Sequence, residues 1–190
     1  MYLLDNPGAH EVPPNAPLQS FEGIIHVHHS ATATFYSPSE LCGVGGLHCE
    51  RIRSSPSFQG VPRRDTVFVE LDATKPGLPG MVIARVLLFF SITYRRVDYS
   101  CALVNWFLRD DDVADEDTGM WTVRLEKDRW KQPVFEVINV DSIVRGAHLL
   151  PIFGTQRVPE RFLFHEALDR YKSFFVNHFV DHHVHELITG

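Results

Sequence analysis

The segment HFVDHHVHE, residues 178–186, places four histidines and two acidic residues within nine positions. Imidazole nitrogens and carboxylate oxygens are ligands that Zn²⁺ binds. Residues three or four positions apart on a helix lie side by side, so the candidate ligands would share one region: His178, His182, His185 and Glu186. The spacing differs from the H-E-x-x-H of zinc proteases, and no cysteine lies nearby. We therefore expect no metal or other cofactor, with zinc binding as the alternative.

Helical geometry separates these histidines into two groups. At about 100° per residue, His182 and Glu186 continue an apolar stripe of side chains between 164 and 179, so both should face the body of the domain. His178 and His185 fall at the margin of this stripe. The spacing predicts a structural polar lock, in which His182 and Glu186 hold the helix end against the domain.

One stretch of the chain is locally basic, broken only by Glu50. It contains the candidate nucleic-acid-binding residues Arg51, Arg53, Arg63 and Arg64. A planar guanidinium group suits phosphate oxygens, which favours contact with a nucleic-acid backbone. The alternative is that these arginines pair with acidic residues of the domain itself.

Aromatic residues at strand or hairpin positions form a second candidate site. The candidates for an aromatic pocket are Tyr94, Tyr99, Trp106 and Trp121. Aromatic rings can surround a methylated lysine through cation–π contacts. Ordinary packing in an apolar core is the alternative.

Three further clusters favour structural roles. The histidines of HVHH, residues 26–29, would alternate between the two faces of a strand. CGVGGLHC, residues 42–49, lacks the second cysteine pair of a zinc site and the Gly-Lys-Ser/Thr of a phosphate loop. The acidic stretch 110–117 lacks the ligand order of a calcium loop, so we expect a solvated hairpin tip.

Composition limits the class of protein. The chain has 190 residues, 44% of them hydrophobic, which indicates one domain with a real core. Its formal net charge of −6 does not favour nucleic-acid binding, so that function depends on a local basic patch. Three cysteines, an odd and low number, indicate a reducing compartment and no disulfide framework.

No segment reads as a membrane anchor or a secretory signal. The longest apolar run, MVIARVLLFFSI, is interrupted by Arg85 and is too short to cross a bilayer. The first residues lack a charged and then apolar signal pattern. We expect a soluble intracellular protein with no membrane partner.

Hydrophobic periodicity predicts mostly strands. Prolines at four positions make residues 1–20 an extended arm, and residues 21–190 form a single β-rich domain. Residues 37–64 are expected to be a long irregular connection, and an apolar stripe predicts a helix from about 165 to 187. The strands are predicted within 23–36, at 66–71, 81–94 and 99–108, and in MWTVRLE and VFEVINVDSIV, with 81–94 and 99–108 forming a hairpin.

Several strings of the chain resemble a known family in the same order. They include ATATFYSPSELCGVGGLHCERIRSSPSF, ARVLLFFSITYRRVDYSCALVNWF, VINVDSIVRGAHLLPIFGT and LDRYKSFFVNHFVDHHVHE. Together they resemble the C-terminal region of Plavaka-type, CACTA-related transposon-encoded proteins of basidiomycete fungi. The resemblance covers residues from about 23 to 188.

The resemblance implies a non-catalytic module. In that family a DDE-type transposase domain lies upstream, and its catalytic carboxylates have no counterpart in this chain. The family's C-terminal pattern corresponds to Asp181, His182, His183 and Glu186, which omits two of the zinc candidates. The hairpin also resembles the central hairpin of bromo-adjacent-homology domains, which bind chromatin.

The expected fold is mainly β (α+β). We predict a small curled antiparallel sheet, or an SH3-like or bromo-adjacent-homology-like barrel, with a packed C-terminal helix. The expected function is a non-enzymatic accessory module in the nucleus. Its expected partners are DNA, RNA, chromatin, an upstream transposase domain or another transposon protein. The alternatives are a zinc-binding or metal-dependent protein and a decayed transposon fragment without selected activity.

Overall fold

A computed structural model describes residues 21–37, 45–155 and 157–189 of the chain. The predicted arm at 1–20 lies outside these residues. Among the described residues, no helix is long and apolar enough to cross a membrane. The strands are β1 (Ile25–His28), β2 (Ser30–Tyr36), β3 (Leu47–Phe58), β4 (Val61–Arg64), β5 (Thr66–Glu70), β6 (Met81–Tyr94), β7 (Val97–Arg109), β8 (Thr122–Leu125), β9 (Phe135–Asn139), β10 (Ile143–Ala147), β11 (Leu149–Pro151) and β12 (Ser173–Val176).

The long hairpin β6–β7 organises the larger sheet. Its turn residues Arg95 and Arg96 have φ angles of 51° and 66°, the left-handed conformation that a two-residue hairpin turn requires. A register shift between Val86 and Leu88 changes which residues of β6 face each side of the sheet. The predicted hairpin is therefore confirmed, with β7 extending slightly further than expected.

The larger sheet is antiparallel, barrel-like and nearly closed. Its main path is β10-β5-β6-β7-β8-β12-β11, and β1 and β9 pair with the outer halves of β6 and β7. A smaller sheet contains β2, β3 and β4. This architecture confirms the mainly β fold with a C-terminal helix.

The two sides of the hairpin cover two cores. The first core lies between the hairpin and the smaller sheet, where Phe89, Val104 and Ile52 are almost fully buried. The second core is closed by the C-terminal segment. Its Phe107 and Phe174 rings pack edge to face, with their centres 5.8 Å apart. Each fully buried side chain of this size contributes about 1.5–3 kcal/mol relative to exposure.

The predicted irregular connection at 37–64 is wrong over its described part. β3 and β4 occupy most of it, and β2 pairs with β3 over seven residue pairs. Ile52 and Ser54 are buried, whereas Arg51 is exposed and Arg53 is half-buried. The smaller sheet has few apolar residues, because its open face is polar. The alternation of apolar and polar residues that predicts a strand is therefore weak in this part of the sequence.

The predicted continuous helix from 165 to 187 is also wrong. The chain instead forms a 3-10 turn at Phe164–Glu166, α1 (Ala167–Arg170), strand β12 and α2 (His182–Thr189). β12 pairs with both β8 and β11, which satisfies its backbone groups and buries Phe174 and Val176 completely. The apolar stripe therefore belongs to separate elements rather than to one helix face.

Candidate functional site

A groove with positively charged walls lies beside strands β3, β4 and β10. Its cavity has a volume of about 330 Å³. Four arginines line it, together with the chain at 146–149: Arg51, Arg63, Arg64 and Arg145. We call these residues and their cavity the basic groove.

The four arginines predicted from sequence divide into two pairs. Arg63 is tied down, because its Nε donates to Asp65 Oδ1 at 2.8 Å. The guanidinium groups of Arg53 and Arg63 each lie 5.1 Å from the centre of the Phe58 ring. Arg51 and Arg64 are exposed, and within the described ranges neither guanidinium forms a hydrogen bond or an ion pair. Pairing with an acid of the domain is therefore observed for Arg63, and contact of these arginines with nucleic acid stays a prediction.

Arg145 forms the rigid wall of the basic groove. The residue is 5% exposed, and its Nη1 and Nη2 donate to Asp181 Oδ1 and Oδ2 at 3.0 and 2.7 Å. Its Nε lies 3.7 Å from Glu50 Oε2, and its guanidinium lies 4.5 Å from the Phe35 ring centre. A paired geometry of this kind is among the stronger ionic contacts in proteins.

His183 completes this arrangement, which we call the Arg145 cluster (Arg145, Glu50, Asp181, His183 and Phe35). The distance from Arg145 Nη1 to His183 Nδ1 is 2.9 Å. Arginine can only donate, so Nδ1 accepts and the ring proton belongs on Nε2. The His183 ring also stacks on Phe35, with centres 4.6 Å apart.

Backbone contacts join the Arg145 cluster to the surrounding elements. Asp181 Oδ1 accepts from the Val184 backbone N–H at 2.8 Å, which caps the first turn of α2. Glu50 Oε2 accepts from the Gly146 backbone N–H at 3.0 Å. A Cβ atom at Gly146 would lie 2.6 Å from Glu50 Oε1, so a larger residue here would displace the Glu50 carboxylate. The cluster therefore links β3, β10 and α2.

A second cavity adjoins the basic groove and shares Arg63 and Arg64 with it. It has a volume of about 570 Å³, and its walls combine these arginines with apolar side chains that include Phe58 and Leu163. Buried Arg85 also lines it, and its Nε has no hydrogen-bond partner among the described residues. A flat, partly apolar group next to an anion would suit these walls.

Arg85 is paired on its other side. Its Nη1 and Nη2 donate to Asp169 Oδ1 and Oδ2 at 2.5 and 3.2 Å. These hydrogen bonds hold the pKa of the Asp169 carboxyl below its ordinary value. The pair joins α1 to β6 as the Arg145 cluster joins α2 to β10.

The predicted polar lock is not observed in the expected orientation. His182 Nε2 and Glu186 Oε1 lie 3.5 Å apart, but their side chains are 59% and 49% exposed. Helix α2 instead buries Val184 and Ile188, because it begins after Asp181 and not within a longer helix. The two residues pair with each other on the outer surface and do not face the core.

His178, expected at the helix margin, is buried and precedes the helix. Its ring lies 5.2 Å from the His185 ring, and burial is the main cause that lowers the pKa of His178, with His185 adding to it. No group of three or more His, Cys, Asp or Glu side chains within the described part of the chain is arranged to hold a metal. The geometry thus adds no support for zinc at His178, His182, His185 and Glu186.

The four aromatic candidates do not come together. Trp106 lies in the first core and donates from Nε1 to Glu136 Oε2 at 2.8 Å. Trp121 packs against the second core, whereas Tyr94 and Tyr99 lie near the outer end of the hairpin. The prediction that these four residues form one aromatic pocket is therefore wrong.

The remaining clusters have local contacts. His28 Nε2 lies 3.1 Å from Ser91 Oγ, and Cys49 Sγ lies 3.5 Å from Thr34 Oγ1. In the acidic stretch, Asp115 Oδ1 accepts from the Thr118 backbone at 2.9 Å and forms a turn. Residues 42–44 of the glycine-rich motif lie outside the described residues.

Sequence reasoning missed both buried arginines. Each interrupts an apolar strand, in VIARV and IVRGA, and a charge at such a position signals a buried partner. The partners lie 84 and 36 residues away along the chain, so the sequence could not identify them.

Comparison with known proteins identifies no relative. No protein-family model, curated protein or solved structure matches the chain. Two exposed guanidinium groups beside a fixed, neutralised arginine can bind an anionic oxygen ligand.

Proposed function

We propose that this chain is a non-catalytic module that binds nucleic acid, with the basic groove contacting the phosphate backbone. The observation that carries this proposal is the exposure of Arg51 and Arg64 on the groove, where neither has an ion-pair partner among the described residues. Exposed arginines beside a concave surface attract phosphate, although Arg64 lies close enough to Asp169 for the two charges to interact.

The fixed neighbours support this role. Asp65 and Asp181 neutralise Arg63 and Arg145, so those two residues shape the groove without adding much net charge. Asp65 also accepts from the Arg53 backbone N–H at 2.8 Å, which holds β3 and β4 together. Arg51 and Arg64 are thus presented from a supported pair of strands.

The net charge of the chain limits the strength of this binding. At −6, the whole molecule repels a polyanion, so contact depends on the local field of the groove. We therefore expect modest affinity that falls steeply with salt. The adjoining 570 Å³ cavity has apolar walls that would accept an unpaired base, which favours single-stranded over duplex nucleic acid.

The wider setting of the proposal comes from the sequence resemblance. A module of this kind would belong to a transposon-derived protein of the Plavaka type, act in the nucleus and carry no catalytic residues of its own. An upstream transposase domain or another transposon protein would then be a partner in the same complex.

Fluorescence anisotropy with a labelled single strand and the matching duplex, measured over a range of salt, tests the function. We expect the double variant Arg51→Gln/Arg64→Gln to weaken binding about 10-fold or more and to lower the salt slope by about 2, for two lost phosphate contacts. The matched control is the double variant Arg95→Gln/Arg96→Gln, which removes two charges from the turn at the outer end of the hairpin.

Two results would contradict the proposal. One is the absence of salt-dependent binding by the unaltered chain to either nucleic acid. The other is equal weakening by the groove variant and by Arg95→Gln/Arg96→Gln, which would show that only the net charge of the chain matters.

A further inference from the structure

The outer half of the β6–β7 hairpin carries apolar residues on both of its faces. One face packs on the first core through residues such as Phe89, Ala102 and Val104. The other face carries alternate residues of the two strands, namely Leu88, Phe90 and Ile92 of β6 and Tyr99, Cys101 and Leu103 of β7. These residues are only half-buried, so no described element covers them fully.

The flanking strands extend this surface. β1 pairs with β6 so that Ile25 and Val27 lie opposite Ile92 and Phe90. β9 pairs with β7 so that Val137 lies opposite Leu103, and Phe135 lies two residues before Val137 on the same face. We call these ten residues on four adjacent strands the outer hairpin face.

The flanking residues are well exposed. Ile25 and Val27 are 52% and 54% exposed, and Phe135 and Val137 are 56% and 54% exposed. None of the ten residues is charged. Asn139, which lies opposite Cys101, is a polar residue at the edge of this face. A largely apolar surface of this kind is unfavourable in water and marks an interaction site in soluble proteins.

A polar boundary separates this surface from the covered part of the same sheet side. Arg85 and Asn105 lie opposite each other in the ladder. Arg85 is held by Asp169 of the C-terminal segment, and Asn105 Nδ2 donates to the Val134 carbonyl at 2.7 Å. The second core lies on one side of this pair and the outer hairpin face lies on the other.

The lack of charge on this face restricts its partner to another apolar surface. Sheet faces pack on one another about 10 Å apart with interdigitated side chains. A second copy of the chain presents the same uncharged four-strand face, and a two-fold axis would match it to itself.

The area agrees with a small dimer interface. Four strands about 4.8 Å apart and about six residues long give a flat footprint of roughly 400 Å² per copy. Interdigitating side chains bring the total for two copies to about 1,000 Å², the lower limit for a specific interface.

We propose that the outer hairpin face is a two-fold interface through which two copies of this chain form a dimer. The interface is separate from the basic groove, so the proposal does not depend on nucleic-acid binding. Phe90 and Leu103 would lie near the centre of the interface, while Ile25 and Phe135 would lie on its outer strands.

Sedimentation velocity of the whole chain over a range of micromolar concentrations tests this proposal. We expect a reversible dimer, with Val137→Glu and Leu103→Glu each raising the dimer dissociation constant about 100-fold, because each buries an unpaired charge in both copies. Val137 is exposed in a single copy, so its variant should keep its fold as judged by circular dichroism. Val113→Glu is the control, since Val113 is 70% exposed and lies outside the face.

Alkylation of Cys101 gives a second measurement on the same samples. Its thiol lies within the face, and exposed Cys49 serves as the reference thiol in peptide mapping. We expect Cys101 to react slowly in the dimer and at least about 10-fold faster in Val137→Glu, because dimer dissociation uncovers it.

A chain that stays monomeric at all concentrations would overturn the proposal. A monomer whose Cys101 is nevertheless protected would do the same, because it would show that another part of the chain covers the face. A dimer that survives both Val137→Glu and Leu103→Glu would place the interface elsewhere.

Discussion

Two buried arginines attach the C-terminal segment to the barrel, and one of them contacts more groups than the other. Arg145 is held by both oxygens of Asp181, by Glu50, by His183 and by the Phe35 ring. Arg85 is held by both oxygens of Asp169, whose side chain is 63% exposed. The ionic chemistry is the same, but the surroundings differ.

This difference shows how burial of both partners changes what an ion pair contributes. The Asp181 side chain is 27% exposed and also caps α2, so losing it would leave a buried charge and an uncapped helix. Water can reach Arg85 through the adjoining 570 Å³ cavity when Asp169 is lost. We therefore expect the Arg145–Asp181 pair to stabilise the C-terminal segment more than the Arg85–Asp169 pair does, and the Arg85–Asp169 pair to break more easily.

The largest expected effect comes from Asp181→Ala. It should lower the free energy of unfolding by about 3 kcal/mol, since it removes a cap and leaves Arg145 without its bidentate partner. Urea denaturation followed by circular dichroism measures this change. Asp181→Asn should cost less, because asparagine still caps the helix.

The matched control for Asp181 is Asp110→Ala. Asp110 is 20% exposed but pairs with Arg124, whose side chain is 57% exposed, so its loss should cost less than about 1 kcal/mol. An equal loss of stability in both variants would show that burial of Arg145 does not set the strength of its pair.

A smaller effect is expected from Asp169→Ala. It should lower the free energy of unfolding by about 1 kcal/mol, because the carboxylate is exposed and solvent screens the pair. Denaturation in urea under the same conditions gives the value. A cost as large as that of Asp181→Ala would remove the contrast between the two attachments.

The contribution of Asp169 should also depend on pH. Its pKa is lowered in the folded state by the Arg85 hydrogen bonds, from an ordinary value of 3.8. The stabilisation is therefore present above about pH 4 and is lost as the pH falls through the lower folded-state pKa. The difference in stability between the unaltered chain and Asp169→Ala should narrow in that acidic range.

The smallest expected effect concerns His178, beside the start of the segment that carries Asp181. Burial lowers its pKa from 6.5, so the unfolded state takes up a proton first as the pH falls. Stability should then decrease from about pH 7 towards the folded-state pKa. His178→Leu should melt at nearly the same temperature at pH 7.5 and should lose less stability on acidification to about pH 5.5.

Thermal melting across this pH range distinguishes His178 from the other histidines. The comparison uses the difference between His178→Leu and the unaltered chain at each pH, so titrations common to both cancel. His182→Leu is the matched control, because it removes an imidazole from an exposed position on the same segment. If the melting temperature depends on pH in the same way for all three chains, burial of His178 has no role in the pH dependence of stability.

The sequence by itself determined the strands whose alternation and length are encoded locally. The hairpin at 81–94 and 99–108 and the strand at 66–71 follow from β-branched and aromatic residues with turn residues between them. Mainly β architecture with a helix at the C-terminal end follows from the same local patterns. The exposed arginine candidates also followed from residue type alone, although their separation into a paired set and an open set did not.

Tertiary structure decided the elements whose periodicity was ambiguous and the partners of buried charges. The stripe between 164 and 179 has helical spacing, yet β12 forms there because β8 and β11 offer it backbone hydrogen bonds on both sides. His182 and Glu186 face outwards because Asp181 sets the start of α2. Arg145 meets Asp181 only because folding brings β10 and α2 together, and no local pattern in a sequence specifies such a distant contact.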